Sequence, residues 1–153
     1  MLNSYRSFNP LLIFEGIENV GKSSIRKILT VEVMDQQFST IERIYPSSYV
    51  YDRLRGGDAG SRCSEWIDLF NRLISMIPSI VIYVTRPNKE LSNDERVVSS
   101  LYDEFFAITR PQILVVENPV VIDSLHAHLL ERSHYIFNEI MKSNPSGYKS
   151  DKL

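Results

Sequence analysis

The sequence predicts an α/β domain in three layers, a mostly parallel sheet of about five strands with helices on both faces. Three observations lead there. Short continuous apolar runs such as "LLIF" (11–14) and "SIVIYVT" (79–85) suit strands buried on both faces. Stretches with apolar residues at helical spacing stand between such runs. The two kinds alternate, and strand–helix–strand connections give parallel neighbours.

The elements follow in order. "LLIF" is the first strand, and Gly16 and Gly21 bracket the loop after it. Ile25, Ile28, Leu29 and Val33 repeat as one face of a helix. "FSTIERI" (38–44) and "SYVYD" (48–52) read as strands, the second rich in β-formers. "RLRGGDAGS" is a polar, glycine-rich loop. Trp66, Leu69, Phe70, Leu73, Ile74 and Ile77 mark an amphipathic helix that Pro78 ends. "SIVIYVT" is the clearest strand, and the loop "RPNKELSND" follows it. Val97, Leu101, Phe105 and Ile108 give another helix, and "QILVVEN" (112–118) another strand. Pro119 opens a last helix lined by Leu125, Leu129, Ile136 and Ile140. One domain is expected over residues 1–142, with residues 143–153 a flexible tail.

The composition narrows the class. The chain has 153 residues, 43% apolar and 24% charged, enough for one core. A net charge of -2 argues against a nucleic-acid surface. Cys63 is the single cysteine, so no internal disulfide and no cysteine-based zinc site are expected. No apolar run reaches the roughly 20 residues of a membrane span, and "MLNSYRSFNP" lacks a signal-peptide centre. A soluble, cytoplasmic protein with no membrane partner is expected.

Ligands of open parallel sheets sit at the carboxyl ends of the strands. Gly16-Ile17-Glu18-Asn19-Val20-Gly21-Lys22-Ser23 falls there and matches the phosphate-loop pattern G-x-x-x-x-G-K-S/T. Each position has a reason. Glycines let several backbone N–H groups turn inward, and the following helix points its positive end at the same place. Lys22 supplies a point charge to the β and γ phosphates, and Ser23 offers a hydroxyl to Mg²⁺. ATP phosphates are therefore expected on Gly16, Asn19, Val20, Gly21, Lys22, Ser23 and Ser24. A strand before the motif and a helix after it are the context that binding of a nucleotide triphosphate, on a P-loop NTPase fold, requires.

"FEGIENVGKSS" (14–24) resembles the loop of the thymidylate kinase family. "VYDRLRGGD" resembles that family's Asp-Arg motif, which closes a strand, and "PSIVIYVTRP" resembles a later strand. The resemblance covers about residues 11 to 142 and is nearest to short, phage-type members, for which the compartment is the host cytoplasm. It implies roles. Glu18 would bind the sugar 3′-hydroxyl of the acceptor. Asp52 would help hold Mg²⁺ through water, and Arg53 would contact the acceptor phosphate. Arg43, near Pro46, stands where the family has another arginine for that phosphate. The lid after "PSIVIYVTRP" is shortened here, and Asn19 occupies a position where some members carry arginine. Arg86, Lys89 and Arg96 are then the candidates for the lid cation, Arg96 first. "ENP" (117–119) would lie near the donor adenine. A homodimer is also implied.

Other residues have plainer readings. His126, His128 and His134 carry no metal-binding pattern. Trp66, Phe70, Tyr102, Phe105 and Phe106 read as core or interface, and Phe38 and Tyr45 are candidates for stacking on the acceptor base. The expected activity is ATP- and Mg²⁺-dependent phosphorylation of a deoxynucleoside monophosphate, dTMP favoured. One alternative is a deoxynucleoside kinase, whose neutral 5′-hydroxyl acceptor calls for a carboxylate base, Glu42 or Asp52. The other is a nucleotide-binding regulator with little turnover.

Overall fold

β1 (Leu11–Gly16) is buried almost throughout because it lies inside the sheet. The computed structural model describes residues 10–17, 20–34, 38–118 and 125–143. Within them β1, β2 (Thr40–Glu42), β3 (Ser79–Thr85) and β4 (Ile113–Glu117) form one sheet in the order β2-β1-β3-β4. All three pairings are parallel. β1 and β3 pair along their length, from Leu11 beside Ser79 to Gly16 beside Val84.

Strand alternation divides the core in two. Leu12 and Phe14 of β1, with Ile80, Ile82 and Val84 of β3, face one side. α1 (Lys22–Lys27), the π-helical turn Ile28–Val33 that continues it, and α6 (Leu125–Ser143) cover that side. Ile13, Val81 and Tyr83 face the other. There they meet α2 (Tyr45–Arg55), α4 (Cys63–Met76) and α5 (Asn93–Thr109), while α3 (Gly57–Gly60) links α2 to α4. Phe14, Phe70 and Phe105 are fully buried, each contributing about 1.5–3 kcal/mol.

Three expectations change. "SYVYD" (48–52) is not a strand but the middle of α2, which leaves four strands among the described residues where about five were expected. Pro46 sits in the first turn of α2, where its missing N–H costs nothing. Pro46, Ser47, Tyr49 and Val50 then bury one helical face against the sheet and α4. The β-preference of Tyr49, Val50 and Tyr51 yields to that packing. On α5 the buried face is Tyr102, Phe105, Phe106 and Thr109, whereas Val97 and Ile108 are about half exposed. Phe38 is buried in the same core cluster as Phe14 and is no stacking surface. Leu129, Ile136 and Ile140 of α6 are buried as expected. Pro119 and the tail from residue 144 lie outside the described residues, as does the side chain of Leu125. Among the described residues no helix is long and apolar enough to cross a membrane.

Candidate functional site

The loop after β1 is shaped by close approach. Gly16 has φ 141°, and a Cβ there would lie 2.1 Å from the backbone oxygen of Val84. Gly21 has φ 89°, and its Cβ would lie 2.6 Å from Nδ2 of Asn118. Lys22 begins α1 and is buried, and its Nζ donates to the carbonyls of Gly16 (3.0 Å) and Ile17 (2.5 Å).

Beside the loop, Ser23 Oγ donates to Glu42 Oε1 at 2.8 Å and Arg26 Nε donates to Oε2 at 2.5 Å. Burial raises the Glu42 pKa, but the hydrogen bonds from Ser23 and Arg26, with the charges of Arg26 and Lys22, outweigh it and hold the carboxyl below its ordinary value. Glu42 and Arg43, with residues 20–24, line a cleft of about 530 Å³. A carboxylate with a lowered pKa adds stability that is present above its ordinary value of 4.5 and is lost as pH falls through the folded value. Glu42→Gln is therefore expected to unfold at a lower temperature than wild type at neutral pH. Melting curves taken from neutrality down to about pH 3 should show the two converge.

Arg43 takes its position from a buried network. Its φ is 55°, a left-handed conformation, and its N–H donates to the Phe14 carbonyl at 3.0 Å. The next N–H, of Ile44, donates to Glu15 Oε2 at 2.8 Å, and Ser47 Oγ donates to Glu15 Oε1 at 2.5 Å. Tyr102 OH lies 2.8 Å from Ser47 Oγ and donates to the Gly16 carbonyl at 3.3 Å. Glu15 is fully buried, and desolvation raises its pKa against these hydrogen bonds. Sequence reasoning missed Glu15. The signal was present as one carboxylate inside the apolar run "LLIFEG".

Asp52 and Arg53 lie on α2, not at a strand end. The acid–arginine pair that closes a strand is Glu42-Arg43, at the end of β2. Asp52 is buried and accepts from Trp66 Nε1 (2.7 Å) and Arg55 Nη1 (2.9 Å), with Arg62 Nη2 3.6 Å away. Together with Ser48 and Tyr51 these residues line a second cleft of about 380 Å³. Tyr45 stacks on Trp66, with ring centroids 6.1 Å apart. Arg53 pairs with Glu104 at 3.3 Å.

Arg86 follows β3 and donates to Glu95 Oε2 at 2.8 Å. Glu95 Oε1 accepts from the Ser92 N–H while Ser92 Oγ accepts from the Glu95 N–H, a capping box at the start of α5. These bonds, the Ser92 N–H first, outweigh burial and lower the Glu95 pKa. Lys89 and Arg96 are exposed, and Arg96 Nη2 donates to the Asn88 carbonyl at 3.2 Å. Across the loop, Asn118 Nδ2 donates to the Val20 carbonyl at 2.6 Å and Asn118 Oδ1 lies 2.7 Å from His128 Nε2. Glu18 and Asn19 lie outside the described residues.

The structure therefore brings Lys22, Ser23, Ser24, Gly21, Val20, Glu42 and Arg43 to one cleft. Asp52 lines the other. Among the described residues no three or more His, Cys, Asp or Glu gather as a metal cluster. The chain matches no family model, no curated protein and no solved structure.

Proposed function

We propose that this chain is an ATP-dependent nucleoside monophosphate kinase on a P-loop NTPase fold, similar to thymidylate kinases, with dTMP the favoured acceptor. The observation that carries the reading is the single cleft holding Lys22, Ser23, Glu42 and Arg43. Residues Gly16 to Ser24 would hold the ATP phosphates. Lys22 would exchange the Gly16 and Ile17 carbonyls for β and γ phosphate oxygens, because a phosphate is the stronger acceptor for an ammonium.

Mg²⁺ fits this site by the chemistry of its donors. Ser23 Oγ and the ionised Glu42 are hard oxygen ligands within hydrogen-bond reach of each other, and Mg²⁺ takes one or two such groups plus phosphates and water. When bound, the ion neutralises charge on the phosphates. Glu42 and Arg43 take the metal and acceptor-phosphate roles that the resemblance first suggested for Asp52 and Arg53. Arg86 is assigned as the lid cation, ahead of Lys89 and Arg96. It stands two residues beyond Val84, whose carbonyl abuts Gly16. The acceptor's phosphate is already anionic at neutral pH, so its oxygen attacks the γ phosphorus without a base. The bond between that phosphorus and the β–γ bridging oxygen breaks, and ADP leaves. Alignment and charge neutralisation carry the catalysis.

One observation favours a second reading. Glu42 lines the same cleft as Arg43 and Lys22, where a carboxylate would be within reach of a nucleoside 5′-hydroxyl as its base. An ADP-release assay with ATP·Mg²⁺ separates the two. We expect turnover with a deoxynucleoside monophosphate, dTMP above dUMP, dCMP, dGMP and dAMP, and none with nucleosides. Turnover with nucleosides alone would move the chain to the second reading. Inertness toward all acceptors, despite ATP binding, would leave a nucleotide-binding regulator.

A further inference from the structure

We propose that Asn118 and His128 form a clamp that sets the phosphate loop in its binding shape. Both act as positioning residues, and the proposal rests on the reading of residues 16–23 as a triphosphate cradle.

The clamp starts from the sheet. Asn118 follows β4, and its backbone N–H donates to the Thr85 carbonyl at 2.7 Å, which fixes it to the end of β3. Its side chain is buried. The chemistry of its neighbours decides which way the amide faces. A carbonyl only accepts, so the group 2.6 Å from the Val20 oxygen is the amide nitrogen. The amide oxygen then faces His128, and because it too only accepts, His128 Nε2 must carry a proton.

The consequence lies in one peptide plane. In a trans peptide the C=O and the following N–H point in opposite directions, and the described peptides are trans. Holding the Val20 oxygen at Asn118 turns the Gly21 N–H away from Asn118 and leaves it for a ligand phosphate. Gly21 completes the fit. Its φ of 89° suits glycine, and its missing Cβ is the space that Asn118 Nδ2 occupies. Thus α6, through His128, holds the asparagine, and the asparagine holds the loop. The histidine acts here as a hydrogen-bond donor to an amide.

Two measurements test this. The first is calorimetric titration with ATP·Mg²⁺ and with inorganic triphosphate, which has no base or sugar to bind elsewhere. Asn118→Asp keeps the shape but sets a carboxylate oxygen against the Val20 carbonyl, and should weaken both ligands about tenfold or more. His128→Ala should weaken them several-fold. His128→Gln, whose amide can still donate, should stay within about twofold of wild type. Circular dichroism confirms that each variant is folded. Wild-type affinity in a folded Asn118→Asp protein overturns the clamp. The second measurement is nitrogen NMR of His128, recorded well above the ordinary histidine pKa. A neutral ring protonated on Nε2 is expected, changing to a tautomer mixture in Asn118→Ala. A ring protonated on Nδ1 in the wild type overturns the clamp whatever the titration gives. If the wild type binds neither ligand while His128 is protonated on Nε2, the cradle reading has failed, and the clamp's role in binding falls with it.

Discussion

Gly16→Ala is expected to be the most destabilising alanine substitution among the described glycines. The new Cβ would lie 2.1 Å from the Val84 oxygen, and that neighbour is backbone of a central strand with no rotamer to escape into. The strand would have to part from β3 at its carboxyl end, where Gly16 pairs with Val84. A φ of 141° adds strain of its own for a residue with a side chain. Overpacking and strain together should cost about 3 kcal/mol or more, or about 10 °C in melting temperature for a domain of this size. Gly60→Ala is the matched control. Its Cβ would meet nothing nearer than 3.9 Å, and the change should stay within about 0.5 kcal/mol. Thermal melts of the pair decide the matter, and equal melting temperatures would overturn the account of the loop.

On the proposed function, Lys22→Ala is expected to have the opposite signature, with phosphoryl transfer lost and the fold kept. Lys22 Nζ donates to the carbonyls of Gly16, the last residue of β1, and of Ile17, the next residue. Removing a preorganised charge from a transferring phosphoryl group costs roughly a hundredfold or more in turnover. The melting temperature should move by only a few degrees, since the side chain's loss removes two hydrogen bonds to backbone carbonyls. Lys22→Arg tests geometry against charge. It keeps the cation but brings a planar fork into a space that fits a point charge, and should recover little of the activity. ADP release and melting measured on the same samples give both readings. Full turnover in Lys22→Ala would remove the lysine from the chemistry.

Much of this was legible in the sequence where one physical cause dominates. β1 and β3 read as strands because burial on both faces leaves only apolar residues, and "SIVIYVT" matches Ser79–Thr85 residue for residue. The Gly16–Ser23 loop was visible because backbone close approach demands glycine at fixed positions. α2 was misread because Tyr49, Val50 and Tyr51 favour strands locally, while the competing signals, Pro46 in a first turn and a buried face at helical spacing, depend on what packs against them. The same misreading set Asp52-Arg53 at a strand end, whereas that pair lies on α2 and the acid–arginine pair that closes a strand is Glu42-Arg43. Glu15 and the Asn118–His128 contact were not legible, because each joins elements that only the sheet brings together.

The contact between Asn118 and Val20 spans 98 positions in the chain, and Gly16 pairs with Val84. Both contacts that shape the loop near the amino end are made by residues from the later half. During synthesis the loop therefore leaves the ribosome long before the strands that mould it. Such long-range parallel pairing is slow to form, since loop-closure entropy is lost before the contacts are gained. The loop takes its shape only once β3 and Asn118 are in place, and a chain truncated before residue 118 would keep the whole glycine motif yet lack that shape.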